Sequence, residues 1–356
     1  MNYIQINNNR IGENYPTYFI ADIAANHDGD LQRAKGLISL AKRAGANAVK
    51  FQHHDVKKYV SDYGFKHLGG KFSHQKSWDK SIFQVYKDAE VPTHWTEELK
   101  KHCEEVGIDF FSTPYDLDMV DHLSQHVPAF KIGSGDINWH AMLEKVAKTG
   151  KPVLCATGAS TIGEVQEAVK ILSKYNSKIV LMQCNTNYTA SKENFKFINL
   201  NVLKTYSAMF PNVILGLSDH TLGNVTVLGS VALGAKVVEK HFTDDTSRPG
   251  PDHPFSMDHD TWKEMVDNTR LLELAMGHST KEVQENESET VVLQRRAVRV
   301  VRDIAKGEML SSKDVEYQRP CPEDSISINS FSKLEGKRCL VDIASGDYIR
   351  QEHIEL

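Results

Sequence analysis

From Phe19 to about Gly277, short apolar runs take turns with amphipathic stretches, and this alternation constrains the fold more than any other feature of the chain. The runs are "YFIADIAA", "NAVKFQ", "IDFFSTP", "PAFKIGS", "PVLCATG", "KIVLMQC", "NVILGLS" and "AKVVEKHF". They are apolar almost throughout, as strands covered on both faces or closed into a ring are. Between them, stretches such as "LQRAKGLISLAKRAG", "HWTEELKKHCEEVG", "HAMLEKVAKTG" and "TIGEVQEAVKILSKY" have helical spacing, and several end in a capping glycine. Strand-helix units repeated over about 260 residues predict a (β/α)8 TIM barrel. A doubly wound open sheet is the alternative, but no GxGxxG follows the first strand, and the strand count favours closure.

The pattern breaks after residue 278. "STKEVQENESETVV", polar and acidic, reads as a linker over 279–292. Beyond it, residues 293–356 alternate apolar and polar positions around "KGE" and "SGD" turns, which predicts a small β-rich domain. The barrel is expected over residues 1–278.

Composition narrows the functional classes. A net charge of −5 argues against a protein that coats nucleic acid, because that binding needs clustered Lys and Arg. No run approaches the roughly 18 apolar residues that span a bilayer, and the polar N-terminus lacks the form of a signal peptide. Five scattered cysteines without a CxxC pair fit a reduced, cytoplasmic setting.

The ends of the apolar runs are unexpectedly polar. Asp22, Asn26 and His27 follow the first, Lys50 and Gln52 end the second, and Ser112 and Thr113 end the third. The fourth, seventh and eighth end in "KIGSGD", "SDHT" and "EKHF". In a barrel these ends converge on one mouth, where barrel enzymes carry their active sites. His220 and His241, each close to an acid (Asp219, Glu239), read as an imidazole pair for a divalent cation. Lys131, Ser134, Thr157 and Ser218, with N–H groups at glycine turns and helix starts, suit a phosphate or carboxylate. Each residue alone has a bland reading: a hydrogen-bonded core histidine, a paired lysine, a glycine that shapes a turn. Together they imply an anionic substrate.

The motifs "ADIAANHDG", "VKFQ", "STPYD", "KIGSGD", "GLSDHTLG", "EKHFT" and "GPDHPFSMD" resemble, in order and spacing, the sialic acid (nonulosonic acid) synthase family. The tail resembles that family's antifreeze-like SAF domain, a β-clip fold. The resemblance implies condensation of phosphoenolpyruvate with an N-acetylmannosamine-type aldose, giving a nine-carbon 2-keto acid and phosphate. It also implies a divalent metal, Mn2+ or Mg2+, on His220 and His241, and a homodimer in which the SAF domain reaches the partner barrel. Asp22, Lys50, Asp136 and Glu239 match catalytic positions. Lys50, Lys131, Ser134 and Ser218 match positions that hold the phosphate and carboxylate of phosphoenolpyruvate, Thr113 matches another contact, and Tyr188, Asp252 and Arg319 match the sugar side, Arg319 coming from the partner subunit.

This chain departs from the family in having Asp rather than Glu at positions 22 and 136, each carboxylate drawn back by roughly 1.5 Å. "CNTNYT" also lacks the proline usual there, so recognition of the sugar is the less constrained half. The sugar is then an N-acetylmannosamine-type aldose or a legionaminic, pseudaminic or related precursor. A two-histidine barrel hydrolase and a non-catalytic binding protein are the other readings; the first lacks an HxH pair, and the second leaves the barrel motifs without a role.

Overall fold

The structure, a computed structural model, describes residues 3–68 and 78–355. It contains two compact units, Met1–Gly277 and His278–Leu356.

In the first unit a hairpin of β1 (Tyr3–Ile6) and β2 (Asn9–Gly12) precedes eight parallel strands. These are β3 (Tyr18–Asp22), β4 (Ala48–His53), β5 (Asp109–Pro114), β6 (Phe130–Ile132), β7 (Val153–Ala156), β8 (Ile179–Cys184), β9 (Ile214–Asp219) and β10 (Val237–His241). Six lie within one of the eight apolar runs, and β4 and β9 overrun theirs by one residue, His53 and Asp219. The hydrogen-bonded order is β5-β4-β3-β10-β9-β8-β7-β6, so the first barrel strand pairs with the last. The two ends of this ladder, β5 and β6, lie side by side, and the barrel is nearly closed.

Local chemistry sets the helices. Asp30 accepts the N–H groups of Gln32 and Arg33 and starts helix Leu31–Arg43. A reciprocal capping box between Thr161 and Glu164 starts helix Ile162–Tyr175. Gly107, at φ 72°, ends helix Trp95–Val106 in a conformation that a Cβ would disfavour.

Two apolar layers follow from the two faces of each strand. Outward residues such as Phe19, Val49, Phe110, Leu181 and Val238 pack against the helices. Inward residues at the strand starts, among them Tyr18, Ala48, Phe111, Val180 and Val237, form a separate cluster with Ile4, Ile6 and Ile11 of the hairpin. The hairpin therefore plugs the N-terminal end of the barrel. Asp109 fastens it, accepting hydrogen bonds from Asn7 (2.7 Å), Asn9 (2.9 Å) and Tyr18 (2.5 Å).

The second unit holds antiparallel strands β11 (Ala297–Val300) and β12 (Val315–Gln318) around a core that includes Val298, Leu310, Phe331 and Ile349. Gly307 and Gly346 of the "KGE" and "SGD" turns have φ of 92° and 88°, which glycine adopts at no steric cost. The stretch expected as a linker contains a short 3-10 turn, Glu285–Glu287, and the start of helix Ser288–Gln294.

Candidate active site at the barrel mouth

The two-residue period of a strand decides which polar residues face the barrel axis. The series that starts with the inward Tyr18 reaches Asp22, and that from Ala48 reaches Lys50 and Gln52. From Ile214 the same count reaches Ser218, and from Val237 it reaches Glu239 and His241. Register does the rest: Asp22 lies level with Lys50 on one side and His241 on the other, and Glu239 lies level with Ser218.

These residues line one cleft of 310 Å³, together with Lys131, Ser134, Asp136, Tyr188 and His220. Lys50 Nζ is 2.8 Å from Asp22 Oδ2 and 3.6 Å from Glu239 Oε1, and Lys131 Nζ is 3.2 Å from the same Glu239 oxygen. The Ser218 hydroxyl donates to that oxygen at 3.2 Å, whereas Glu239 Oε2 is buried without a partner. Lys50 and Lys131 are only 3% and 2% exposed, so both charges act where water screens little.

Burial works to raise the Glu239 carboxyl, but Lys131 and Lys50 outweigh it and hold the group down to about 2. Burial raises Asp22 against the pull of Lys50, with Glu239 adding to the rise. Burial opposes the charge on Lys50, yet Asp22 and Glu239 raise its pKa overall. The Asp136 carboxylate forms no hydrogen bond or ion pair among the described residues, and burial pushes it up to about 6.

The imidazoles of His220 and His241 have centroids 5.4 Å apart. Burial lowers each to about 4, with His241 reinforcing the effect on His220, so both rings are neutral at ordinary pH. His220 Nδ1 donates to the Asn185 carbonyl at 2.9 Å, which leaves its Nε2 lone pair available. His241 Nδ1 is buried without a partner, 3.7 Å from Asp252 Oδ2. Neutral imidazoles with open nitrogens are the donor chemistry of a borderline divalent cation. No three His, Cys, Asp or Glu side chains converge at such a site among the described residues. Water or a bound molecule would complete the shell of any cation there.

Some sequence candidates stand elsewhere. The Thr157 hydroxyl donates to the Met182 carbonyl at 3.0 Å and accepts from Tyr206 at 2.9 Å, turned away from the cleft. Thr113 is fully buried behind Lys50, whose Nζ lies 3.4 Å from its hydroxyl. Asp252 borders an adjoining recess and accepts the Ala25 N–H at 3.1 Å. Arg319 lies exposed in the second unit, just past β12.

Asp219 does not support His220, contrary to the reading of its neighbourhood in the sequence. Strand parity turns it outward to an ion pair with Lys240 at 2.5 Å, and Thr221 and Thr226 donate to it as well. His27 packs edge-on to Trp95, and its Nδ1 accepts the Gly29 N–H, so it shapes the turn after β3. The start of helix Ile162–Tyr175 is taken by its own capping box, which leaves Lys50, Lys131, Ser134 and Ser218 as side-chain donors of the cleft.

Three aromatic or amide side chains of the cleft, Gln52, Tyr59 and Tyr115, went unassigned in the sequence. Gln52 was legible from strand parity. Tyr59 lies on a short helix, Val56–Tyr59, with no periodic signal. At the rim, Ala24 and Ala159 hold φ of 45° and 51°, a strained conformation of the kind that gathers at functional sites.

Comparison with known proteins identifies the family. Residues 37–281 match the NeuB family, and residues 295–355 match the SAF domain. An uncharacterized protein of Methanocaldococcus jannaschii is 42% identical over 90% of each chain. The N,N'-diacetyllegionaminic acid synthase of Campylobacter jejuni is 34% identical over 94% of this chain and 99% of its own. The crystal structure of an N-acetylneuraminic acid (sialic acid) synthetase from Leptospira borgpetersenii superposes with a TM-score of 0.70 at 30% identity, covering 81% of this chain and 95% of that one.

Proposed function

The chain belongs to the NeuB family, and from that premise we propose that it condenses phosphoenolpyruvate with an amino-sugar aldose to give a nonulosonic acid and phosphate. The observation that carries this reading is the buried Lys50–Glu239–Lys131 arrangement, two cations flanking one carboxylate at the floor of the cleft. Phosphoenolpyruvate is anionic at two ends, and the lysines, Ser134 and Ser218 offer donors to its phosphate and carboxylate.

In the proposed reaction C3 of phosphoenolpyruvate bonds to the aldehyde carbon, water adds at C2, and the C2–O bond to phosphate breaks as the water oxygen becomes the C2 carbonyl; the two protons of the water end on the new hydroxyl, at the former aldehyde oxygen, and on the released phosphate. Glu239, ionised throughout, stabilises the positive charge that gathers at C2. Asp136, half-buried and without a partner, takes the proton of the attacking water. Asp22 stays paired with Lys50 and orients it.

A divalent cation, Mn2+ or Mg2+, held by His220 and His241 would supply Lewis-acid polarisation of the aldehyde oxygen. Charge balance supports such an ion: two lysines face Asp22, Glu239 and Asp136 before any anionic substrate arrives. Tyr188 and Asp252 sit on the sugar side of this arrangement, and a homodimer would bring Arg319 of the partner subunit over the mouth. Five unpaired cysteines support a cytoplasmic setting.

The test is phosphate release from phosphoenolpyruvate in the presence of Mn2+ and a panel of acylamino sugars. Release that depends on the sugar and stops with EDTA is expected. No release with any sugar overturns the reading.

A further inference from the structure

The turn after β3 carries Asp28 at φ 52°, a left-handed conformation that Asp and Asn adopt more readily than most residues. Three side chains converge on its carboxylate. Oδ1 accepts from His253 Nε2 at 3.1 Å, while Oδ2 accepts from Arg248 Nη2 at 2.8 Å and lies 3.1 Å from Arg33 Nε. Burial works to raise the carboxyl, but His253 and Arg248 outweigh it and hold the group below its ordinary range. His253 is wholly buried, and its Nδ1 lies 2.7 Å from the Thr243 hydroxyl, so both ring nitrogens are engaged.

Thr243, Arg248 and His253 belong to one loop, residues 243–257, which follows β10 and is closed at its base where the Met257 N–H donates to the His241 carbonyl at 2.9 Å. Arg33 ties the same loop again, donating to Asp244 at 2.8 Å. The chain folds closely around His253: a Cβ on Gly250 would lie 2.6 Å from its Cδ2.

Asp252 sits in this loop, next to His253. Its Oδ2 accepts the N–H of Ala25, from the same turn as Asp28, and its Oδ1 forms no hydrogen bond among the described residues, which leaves that oxygen for a ligand. The turn after β3 thus holds Asp252 twice, directly through Ala25 and through His253 by way of Asp28. Lys50, Lys131 and Ser218 stand on β4, β6 and β9 and owe their places to the barrel instead. An irregular loop has no such ladder, so side-chain ties decide where its residues stand. We infer that Asp28 is a positioning residue for the sugar: it locks the loop after β10 against the turn after β3 and so sets the place of Asp252 at the mouth. The inference rests on the synthase reading and adds to it a residue that acts through another.

The test measures the KM for phosphoenolpyruvate and for the acylamino sugar that turns over best, with Mn2+, beside thermal unfolding of each variant. Asp28→Gly keeps the left-handed backbone unstrained and removes the junction. It is expected to raise the KM of the sugar by about tenfold, the loss of one charge-assisted contact, and to change kcat and the KM for phosphoenolpyruvate by less than about twofold. Asp28→Asn, which keeps an oxygen for His253 and tolerates the same φ, should recover most of that loss. Arg248→Gln should move the sugar KM in the same direction, and combined with Asp28→Gly it should be no worse than Asp28→Gly alone. Both KM values rising together, kcat falling with KM unmoved, or a lower melting temperature with unchanged kinetics overturns this inference and leaves the synthase reading standing. Wild-type protein silent with every sugar overturns the two together.

Discussion

Lys131 and Glu239 meet at 3.2 Å, at the floor of the cleft, where both are almost wholly buried. The lysine holds the carboxylate ionised, and the carboxylate occupies a lysine that an anionic substrate would otherwise engage in full. In the proposed reaction, binding and chemistry are thus opposed at one contact.

Glu239→Gln separates them. It removes the anion and leaves Lys50 and Lys131 free, so kcat is expected to fall by about 10²-fold or more, while the KM for phosphoenolpyruvate stays level or drops. Steady-state kinetics with phosphoenolpyruvate varied at saturating sugar checks this. A raised KM with normal kcat contradicts it.

Asp136, pushed up to about 6 by burial, sets a pH dependence. A base works as the anion, so kcat is expected to climb with unit slope as pH rises toward about 6 and to level above it. Asp136→Asn should lower the plateau and flatten the limb. The profile is read in kcat because a phosphomonoester ionises in the same range, near pH 6.

Gly158 passes so close to the anion donors that a Cβ there would lie 2.5 Å from Thr186 Cγ2 and 2.9 Å from Ser134 Oγ. Gly158→Ala would push Ser134 aside and strain the Gly158 N–H bond to its hydroxyl, now 2.9 Å. The KM for phosphoenolpyruvate is expected to rise by about tenfold, the cost of one charge-assisted hydrogen bond. The KM for the sugar should move little, and a titration of each substrate tells the two apart.

Stability has its own test on the outward face of the barrel strands β9 and β10. Lys240, 1% exposed, pairs with Asp219 and donates to the Thr221 carbonyl. Lys240→Met leaves a buried carboxylate without its cation and is expected to cost about 3–5 kcal/mol. The double change Lys240→Met with Asp219→Asn should cost less than the single one, as read by urea denaturation at neutral pH.

The barrel was legible because its strands are apolar on both faces and short, so each run marks a strand and little else. Most of the cleft was legible too, since polar residues at strand ends have few structural reasons to be there. What escaped is what strand ends do not report. Thr157 lies among the cleft's residues in sequence, but its hydroxyl bonds to the Met182 carbonyl instead. Asp219 neighbours His220 along the chain, yet one step of strand parity sends it to Lys240. Tyr59 and Tyr86 come from the irregular segment after β4, where no periodicity tells an inward residue from an outward one. The N-terminal hairpin was not legible although "YIQINNNRIG" alternates around an asparagine turn, because strands of four residues are too short for alternation to stand out.

That hairpin has a bearing on traffic. With Ile4, Ile6 and Ile11 stopping the strand starts, molecules pass to and from the floor over the rim that carries Ala24 and Ala159. A vessel with one lip imposes a queue. For the proposed reaction, a reactant held on Lys50 and Lys131 is expected to enter before the one that lies nearer the rim, because the ten residues of the hairpin close the other end.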